Sequence, residues 1–207
     1  MSKKGNYIVI EGLDGCGKTT QYQRLLDHLG PSTVGVREPG GTPMAEAIRE
    51  LLKEKDLPRS AHANLFLLSA ARSDLIDKVI RPSIQRGLTV VSDRNWLSTA
   101  AYQRAEGASL EDIESISRLA TNEFFAPDTV LLIDTDPATC AQRLQNRGNI
   151  QADYFDTKTE VYFKRVRQAY LDMAQRLPYI TIIDGSPPPD KVWQQIQKIT
   201  TKLSKNR

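Results

Sequence analysis

Cysteine and histidine are scarce: Cys16 and Cys140, His28 and His62 are all that the 207 residues contain. That excludes a disulfide framework and a four-cysteine zinc site. Such sparing use of thiols is that of a cytosolic protein, and a cytoplasmic location is expected. Long apolar runs are also missing. None nears the roughly 20 residues that cross a bilayer. The segment Met1-Ser2-Lys3-Lys4-Gly5-Asn6 leads into an apolar run that soon meets Glu11 and Asp14, which is no signal peptide. No membrane contact is expected. Charge of one sign is lacking as well: Lys+Arg 28 stand against Asp+Glu 25, a formal net charge of +3. That is too little for a nucleic-acid coat, so nucleic acid is not an expected partner. Any anion must be held locally by a few placed basic groups. There is no internal repeat, and the longest proline run, Pro187-Pro188-Pro189, reads as a connector before a last helix.

What is present is the composition of one ordinary globular domain, 1–207, with 40% hydrophobic and 26% charged residues. Four short apolar runs read as buried strands: Tyr7–Ile10, Leu88–Val91, Val130–Ile133 and Tyr179–Ile183. Thr33–Val36 is a weaker fifth. Runs without polar alternation suit a sheet covered on both faces. Helical spacing marks Lys18–Leu29, Ala45–Leu52, Ala61–Ile84, Leu110–Phe125, Pro137–Gln145, Thr157–Arg176 and Asp190–Leu203. Strands alternating with helices predict an α/β fold, a mainly parallel sheet with helices on both faces. Ligands of such folds sit at the carboxyl ends of the strands.

After the first run comes Gly12-Leu13-Asp14-Gly15-Cys16-Gly17-Lys18-Thr19, which fits G-x-x-x-x-G-K-[ST] between a strand and a helix. Glycines let successive N–H groups point inward, and the helix start adds its positive end. Lys18 would bring a mobile ammonium to the β- and γ-phosphates, and Thr19 a hydroxyl to Mg²⁺. Gly12 through Thr20 are therefore the candidate ATP-binding residues. Cys16 reads as small filler, with a thiolate favoured by the helix end as the alternative. Such a loop serves ATPases, GTPases and kinases alike. The N-K-x-D base-reading motif of Ras-type GTPases is absent. Asp93, after the third run, is a candidate Mg²⁺ holder beside Thr19. Arg37 and Arg94 also follow strand runs. Ser98, Tyr102 and Gln103 share one side of a further helix. Plainer readings exist too: a turn capped by Arg37 and Glu38, an Asp93–Arg94 ion pair, a solvated Arg72.

The loop together with Arg37-Glu38-Pro39-Gly40-Gly41-Thr42, the Ala-Ala-Arg ending at Arg72, Ser92 through Gln103 and the Arg143–Gly148 segment resembles the bacterial thymidylate kinases. The resemblance runs from about Tyr7 to the last helix. It implies the P-loop three-layer fold with a five-stranded parallel sheet and a short lid at about 143–158. It also implies transfer of the γ-phosphate of ATP to dTMP with Mg²⁺, and a homodimer. Arg37 and Arg94 would hold the acceptor phosphate, with Pro39 and Ser98 beside them. Asp14 would take the 3′-hydroxyl, Arg72 the pyrimidine O4, and Tyr102 would crowd the 2′ side. Gln103 would lie near the base. Lys18, Arg37, Arg94 and the lid residues Arg143 and Arg147 would carry catalysis. Two positions depart from the pattern. Leu68 stands where relatives carry a phenylalanine that stacks on thymine, and Phe66 lies on another helix face. Tyr154, in Asp153-Tyr154-Phe155-Asp156, replaces a lid arginine. A kinase for another nucleotide or nucleoside and a nucleotide-binding regulatory module are the alternatives these departures leave open.

Overall fold

The computed structural model describes residues 4–54, 56–124, 126–146 and 159–205. Among them the order is β1 (Tyr7–Gly12), α1 (Lys18–Leu29), β2 (Thr33–Arg37), α2 (Pro43–Lys53), α3 (Ala61–Leu75), α4 (Arg81–Gln85), β3 (Thr89–Asp93), α5 (Trp96–Ala105), α6 (Leu110–Thr121), β4 (Thr129–Asp134), α7 (Pro137–Gln145), α8 (Glu160–Arg176), β5 (Ile180–Asp184) and α9 (Pro189–Lys205). A π-helical turn, Ile76–Ile80, joins α3 to α4. Asn122–Phe124 ends α6 as a 3₁₀ turn. The five strands form one sheet in the order β2-β3-β1-β4-β5, every pair parallel. Helices pack around it, as the sequence predicts.

The apolar runs become strands because the sheet buries both of their faces. Ile8, Val9, Ile10, Val90, Val91, Val130 and Leu131 are almost fully enclosed. The edges differ: β2 carries exposed residues, and Ile182 of β5 is half exposed. All five strands run further than their apolar residues. Each ends on a polar or glycine residue: Gly12, Arg37, Asp93, Asp134 or Asp184. Backbone ladder bonds are indifferent to side-chain polarity, so pairing continues where hydrophobicity stops. These polar ends all lie on one rim. β1 is central; the chain leaves its carboxyl end toward the β2 edge and leaves that of β4 toward β5, the kind of reversal that opens a ligand crevice.

Helix starts follow local chemistry. Thr42, Ser60, Asn95, Ser109, Asp136 and Thr159 each accept a backbone N–H from the first turn of their helix. Each such cap is worth about 1 kcal/mol. α1 has no side-chain cap. Gly17 occupies its N-cap in the left-handed region, φ 105°, which leaves the first amides of α1 free to bind an external anion. Gly12 and Gly15 are required for a second reason. A Cβ on Gly12 would come within 2.5 Å of the Ile133 carbonyl, and one on Gly15 within 2.4 Å of the Cys140 carbonyl. The loop therefore lies directly on the ends of β4 and α7. Among the described residues no helix is long and apolar enough to cross a membrane.

Candidate active site: one loop between two grooves

The carboxyl ends of β1, β2 and β3 open into a cleft of about 360 Å³. It gathers most of the residues singled out in the sequence: Asp14, Gly15, Gly17, Lys18, Thr19, Arg37, Pro39, Leu68, Arg72, Asp93, Arg94, Ser98, Tyr102 and Gln103. Four elements and the loop supply them, and strand register sets their alignment. Asp93 pairs with Ile10 on one side and with Arg37 on the other.

Lys18 is already anchored to its own loop. It is buried, and its Nζ donates to the carbonyls of Gly12 (3.0 Å) and Leu13 (2.9 Å), with Asp14 Oδ1 at 3.7 Å. The loop thus pre-positions its own cation. Cys16 is buried, and burial pushes its thiol up in spite of the nearby Lys18 charge. The favoured-thiolate alternative is therefore overturned, and Cys16 is a filler whose amide donates to Leu13 O at 3.2 Å. Thr19 and Thr20 stand exposed in the first turn of α1.

Arg94 has the most constrained environment. Its backbone lies in the left-handed region, φ 76°, where a non-glycine residue is uncommon. Its Nη2 donates to Asp14 Oδ1, and its Nη1 to Ser98 Oγ at 2.7 Å and Gly12 O at 3.3 Å. Its ion pair is with Asp14 and not with Asp93, which corrects the simple strand-end pair. Asp14 also accepts the Tyr102 hydroxyl at 3.0 Å. Burial alone would raise the Asp14 carboxyl, but Arg94, Lys18 and the Tyr102 bond hold it well below the usual carboxylate range. Arg37 donates to both oxygens of Glu46 at 2.8 Å, and Glu46 also accepts the Gly41 N–H.

Arg72 is only 3% exposed and is not a solvated helix residue. Its Nε donates to Glu38 Oε2 at 2.6 Å and its Nη2 to Thr99 Oγ1 at 2.8 Å. Glu38 therefore holds Arg72 and does not cap a turn. Its own carboxyl is raised by burial, against the lowering effect of Arg72. Gln103 is fully buried, with Nε2 on Glu106 Oε2 at 3.2 Å. That contact fixes the amide's orientation, because a carboxylate only accepts. Arg72 Nη1, Gln103 Oε1 and Asp93 Oδ1 have no hydrogen-bond partner among the described residues. Leu68 lines the cleft, while Phe66 points away and is 58% exposed.

Arg143 lies elsewhere. It donates to the carbonyls of Cys16 (3.4 Å), Gly185 (3.1 Å) and Ser186 (3.2 Å). It lines a second groove of about 480 Å³ with Thr20, Gln21, Gly185, Ser186 and Pro187–Pro189. Gly15 and Gly17 line both grooves. Pro187–Pro189 is thus more than a connector. Arg147 and Tyr154 lie outside the described residues, as does the expected lid beyond Asn146.

Some contributors escape sequence reasoning. Arg49 lines the first cleft and donates to Pro39 O at 2.9 Å. Its only signal is a place on the inner side of α2. Asn95, the N-cap of α5 beside Arg94, and Thr99, beside Ser98 on α5, also line the cleft.

A central parallel sheet with an uncapped glycine loop, an embedded lysine and a facing set of arginines defines a P-loop nucleotide-binding protein. The comparisons narrow this further. The profile of the family described as thymidylate kinase matches residues 10–196. Curated thymidylate kinases from Nitrosospira multiformis (37% identical, covering 94% of this chain and 96% of that one) and Shewanella loihica (38%, 92% of each) are similar over almost their whole length. The crystal structure of thymidylate kinase from Ehrlichia chaffeensis superposes with a TM-score of 0.77 at 27% identity, covering 95% of this chain and 99% of that one. The chain belongs to the thymidylate kinase family.

Proposed function

We propose that this protein transfers the γ-phosphoryl group of ATP to dTMP, giving dTDP and ADP. The observation that carries the base assignment is the pair of unpartnered buried atoms in the cleft. Arg72 Nη1 offers a donor and Gln103 Oε1 an acceptor. Thymine presents the complement, an O4 acceptor beside an N3–H donor. Cytosine presents the reverse and would leave both protein groups unpaired. The acceptor phosphate lies among Arg37, Arg94 and Arg49. Asp14 takes the 3′-hydroxyl, and the Tyr102 ring, bonded to Asp14, crowds the 2′ side.

The donor's phosphates rest on the loop, Gly12 through Thr20, against Lys18. Its nucleoside extends into the second groove, beside Arg143. A divalent cation fits Thr19 and Asp93, since Asp93 Oδ1 is a buried carboxylate oxygen without a protein partner and both residues line the cleft. When bound, Mg²⁺ supplies charge neutralisation for the β- and γ-phosphates. No general base is required, because the attacking phosphate oxygen is already ionised at neutral pH. Catalysis is positioning and charge stabilisation. The exposed Phe66 of α3 and Leu119 of α6, 87% exposed, support a homodimer, for which light scattering at twice the chain mass is the check.

The test is ADP release with Mg·ATP against dTMP, dUMP, TMP, dCMP, dGMP and dAMP. Turnover with dTMP should exceed that with dCMP by at least about a hundredfold. dUMP is the nearest competitor, since one methyl in an apolar pocket is worth roughly tenfold or somewhat more. Preference for another acceptor would overturn the substrate assignment, and ATP binding without any turnover would favour a binding module. In the same assay Leu68→Phe should lower the KM for dTMP about three- to tenfold, because an aromatic face adds stacking that leucine lacks. An unchanged KM would remove Leu68 from the base site.

A further inference from the structure

Glu11 is the penultimate residue of β1, directly before the loop's first glycine, and plays no part in the steps above. Its carboxylate is completely buried. A carboxylate survives burial only where donors replace its water. Here the backbone N–H groups of Asn95 (2.8 Å) and Ser98 (3.1 Å) donate to Oε1. The hydroxyls of Ser98 (2.7 Å) and Tyr170 (2.9 Å) donate to Oε2. These partners come from the first turn of α5 and from α8, 159 residues away in the chain.

An ionised carboxylate only accepts, so both hydroxyl protons are committed to Glu11. Their lone pairs then face Arg94, whose Nη1 donates to Ser98 Oγ at 2.7 Å and to Tyr170 Oη at 3.4 Å, with Glu11 Oε2 itself at 4.0 Å. The two hydroxyls are 2.8 Å apart; with their protons on Glu11 neither donates to the other, and only loss of that carboxylate would free one to do so. Without an anion behind them, their polarity toward Arg94 would not be defined. We infer that Glu11 is a positioning residue for the acceptor phosphate. It orients the Ser98 and Tyr170 hydroxyls so that they dock Nη1 of the Arg94 guanidinium, while Nη2 meets Asp14 at the cleft. The inference rests on the acceptor reading above and adds to it a fixed link between the phosphate loop, α5 and α8.

The test compares two ligands that differ only in the phosphate. Calorimetric binding of dTMP and of thymidine is measured on the full chain and on Glu11→Gln. The amide's NH₂ meets groups that already donate, claims the hydroxyl lone pairs and takes them from Arg94. The expected result is an affinity for dTMP about tenfold weaker, the size of one charge-assisted contact, with thymidine within about twofold of the original. Tyr170→Phe keeps the carboxylate and removes one relay. It should show the same selective loss at about threefold, and it decides the matter if Glu11→Gln does not fold. Equal weakening of both ligands, or unchanged dTMP affinity in a folded variant, would overturn the inference. Failure of the original protein to bind dTMP would instead count against the acceptor reading. The same comparison with whichever monophosphate it selects, and the matching nucleoside, then decides on Glu11.

Discussion

Lys18→Met lowers kcat by on the order of 10² to 10³, with folding intact, when ADP release is followed at saturating ATP and dTMP. Methionine fills nearly the same buried volume, so packing against the loop is kept. What disappears is a positive charge already held against the carbonyls of Gly12 and Leu13. Charge on the transferred phosphoryl group grows in the transition state, and a preorganised cation stabilises that state at little reorganisation cost. The loss should therefore fall mainly on kcat and less on the KM for ATP, because the loop amides and the start of α1 remain. A kcat within threefold of the original would mean that Lys18 only braces the loop.

Arg94→Ala is expected to cut kcat/KM for dTMP by about 10³, through lost phosphate binding and lost alignment together. It also has a pH signature. Asp14 is pushed up by burial and pulled down by Arg94 and Lys18, and in the intact protein the downward influences win. A carboxyl depressed on folding contributes stability that is present above its unfolded value and is lost as pH falls through the folded one. The intact site should therefore show no Asp14 limb in kcat/KM between pH 5 and pH 8, a window above the unfolded carboxyl at about 3.9. Removing the Arg94 charge takes away the first of the influences that hold the Asp14 carboxyl down. Asp14 then takes up a proton at higher pH, and an acid limb should emerge in the variant's profile. Identical profiles for the two proteins would remove Asp14 from the Arg94 pair.

How far the chain announces its fold follows from burial. β1, β3 and β4 are visible as apolar runs because both their faces are covered. β2 is faint because only Val36 is fully enclosed. Strand ends were underestimated because Glu11, Arg37, Asp93 and Asp184 are polar. These residues lie on the rim that carries the chemistry, so the signal fades where function begins. The long helix expected over Ala61–Ile84 is continuous in space, but the π turn at Ile76–Ile80 has no mark in its hydrophobic spacing.

Within the site, the loop was legible because its geometry demands glycine at fixed intervals. Arg72, Tyr102 and Gln103 were legible through resemblance, and their burial is now explained by Glu38, Thr99, Asp14 and Glu106. Glu11 with Tyr170, and Arg49, were not. Their partners are brought near by topology rather than by local sequence, and one acidic residue at a strand end carries no motif. Arg143 was expected on the transferring phosphate, yet its guanidinium is engaged by three carbonyls at the edge of the other groove.

Gly15 and Gly17 line both grooves, and this shared wall bears on the kinetic order of the reaction. With donor and acceptor in the two grooves proposed for them, neither would have to depart before the other arrives, and the phosphoryl group would pass across the loop while both are bound, with no residue serving as an intermediate carrier. Initial-rate lines at varied ATP and dTMP should accordingly intersect, the pattern of a ternary-complex enzyme and not of a ping-pong one.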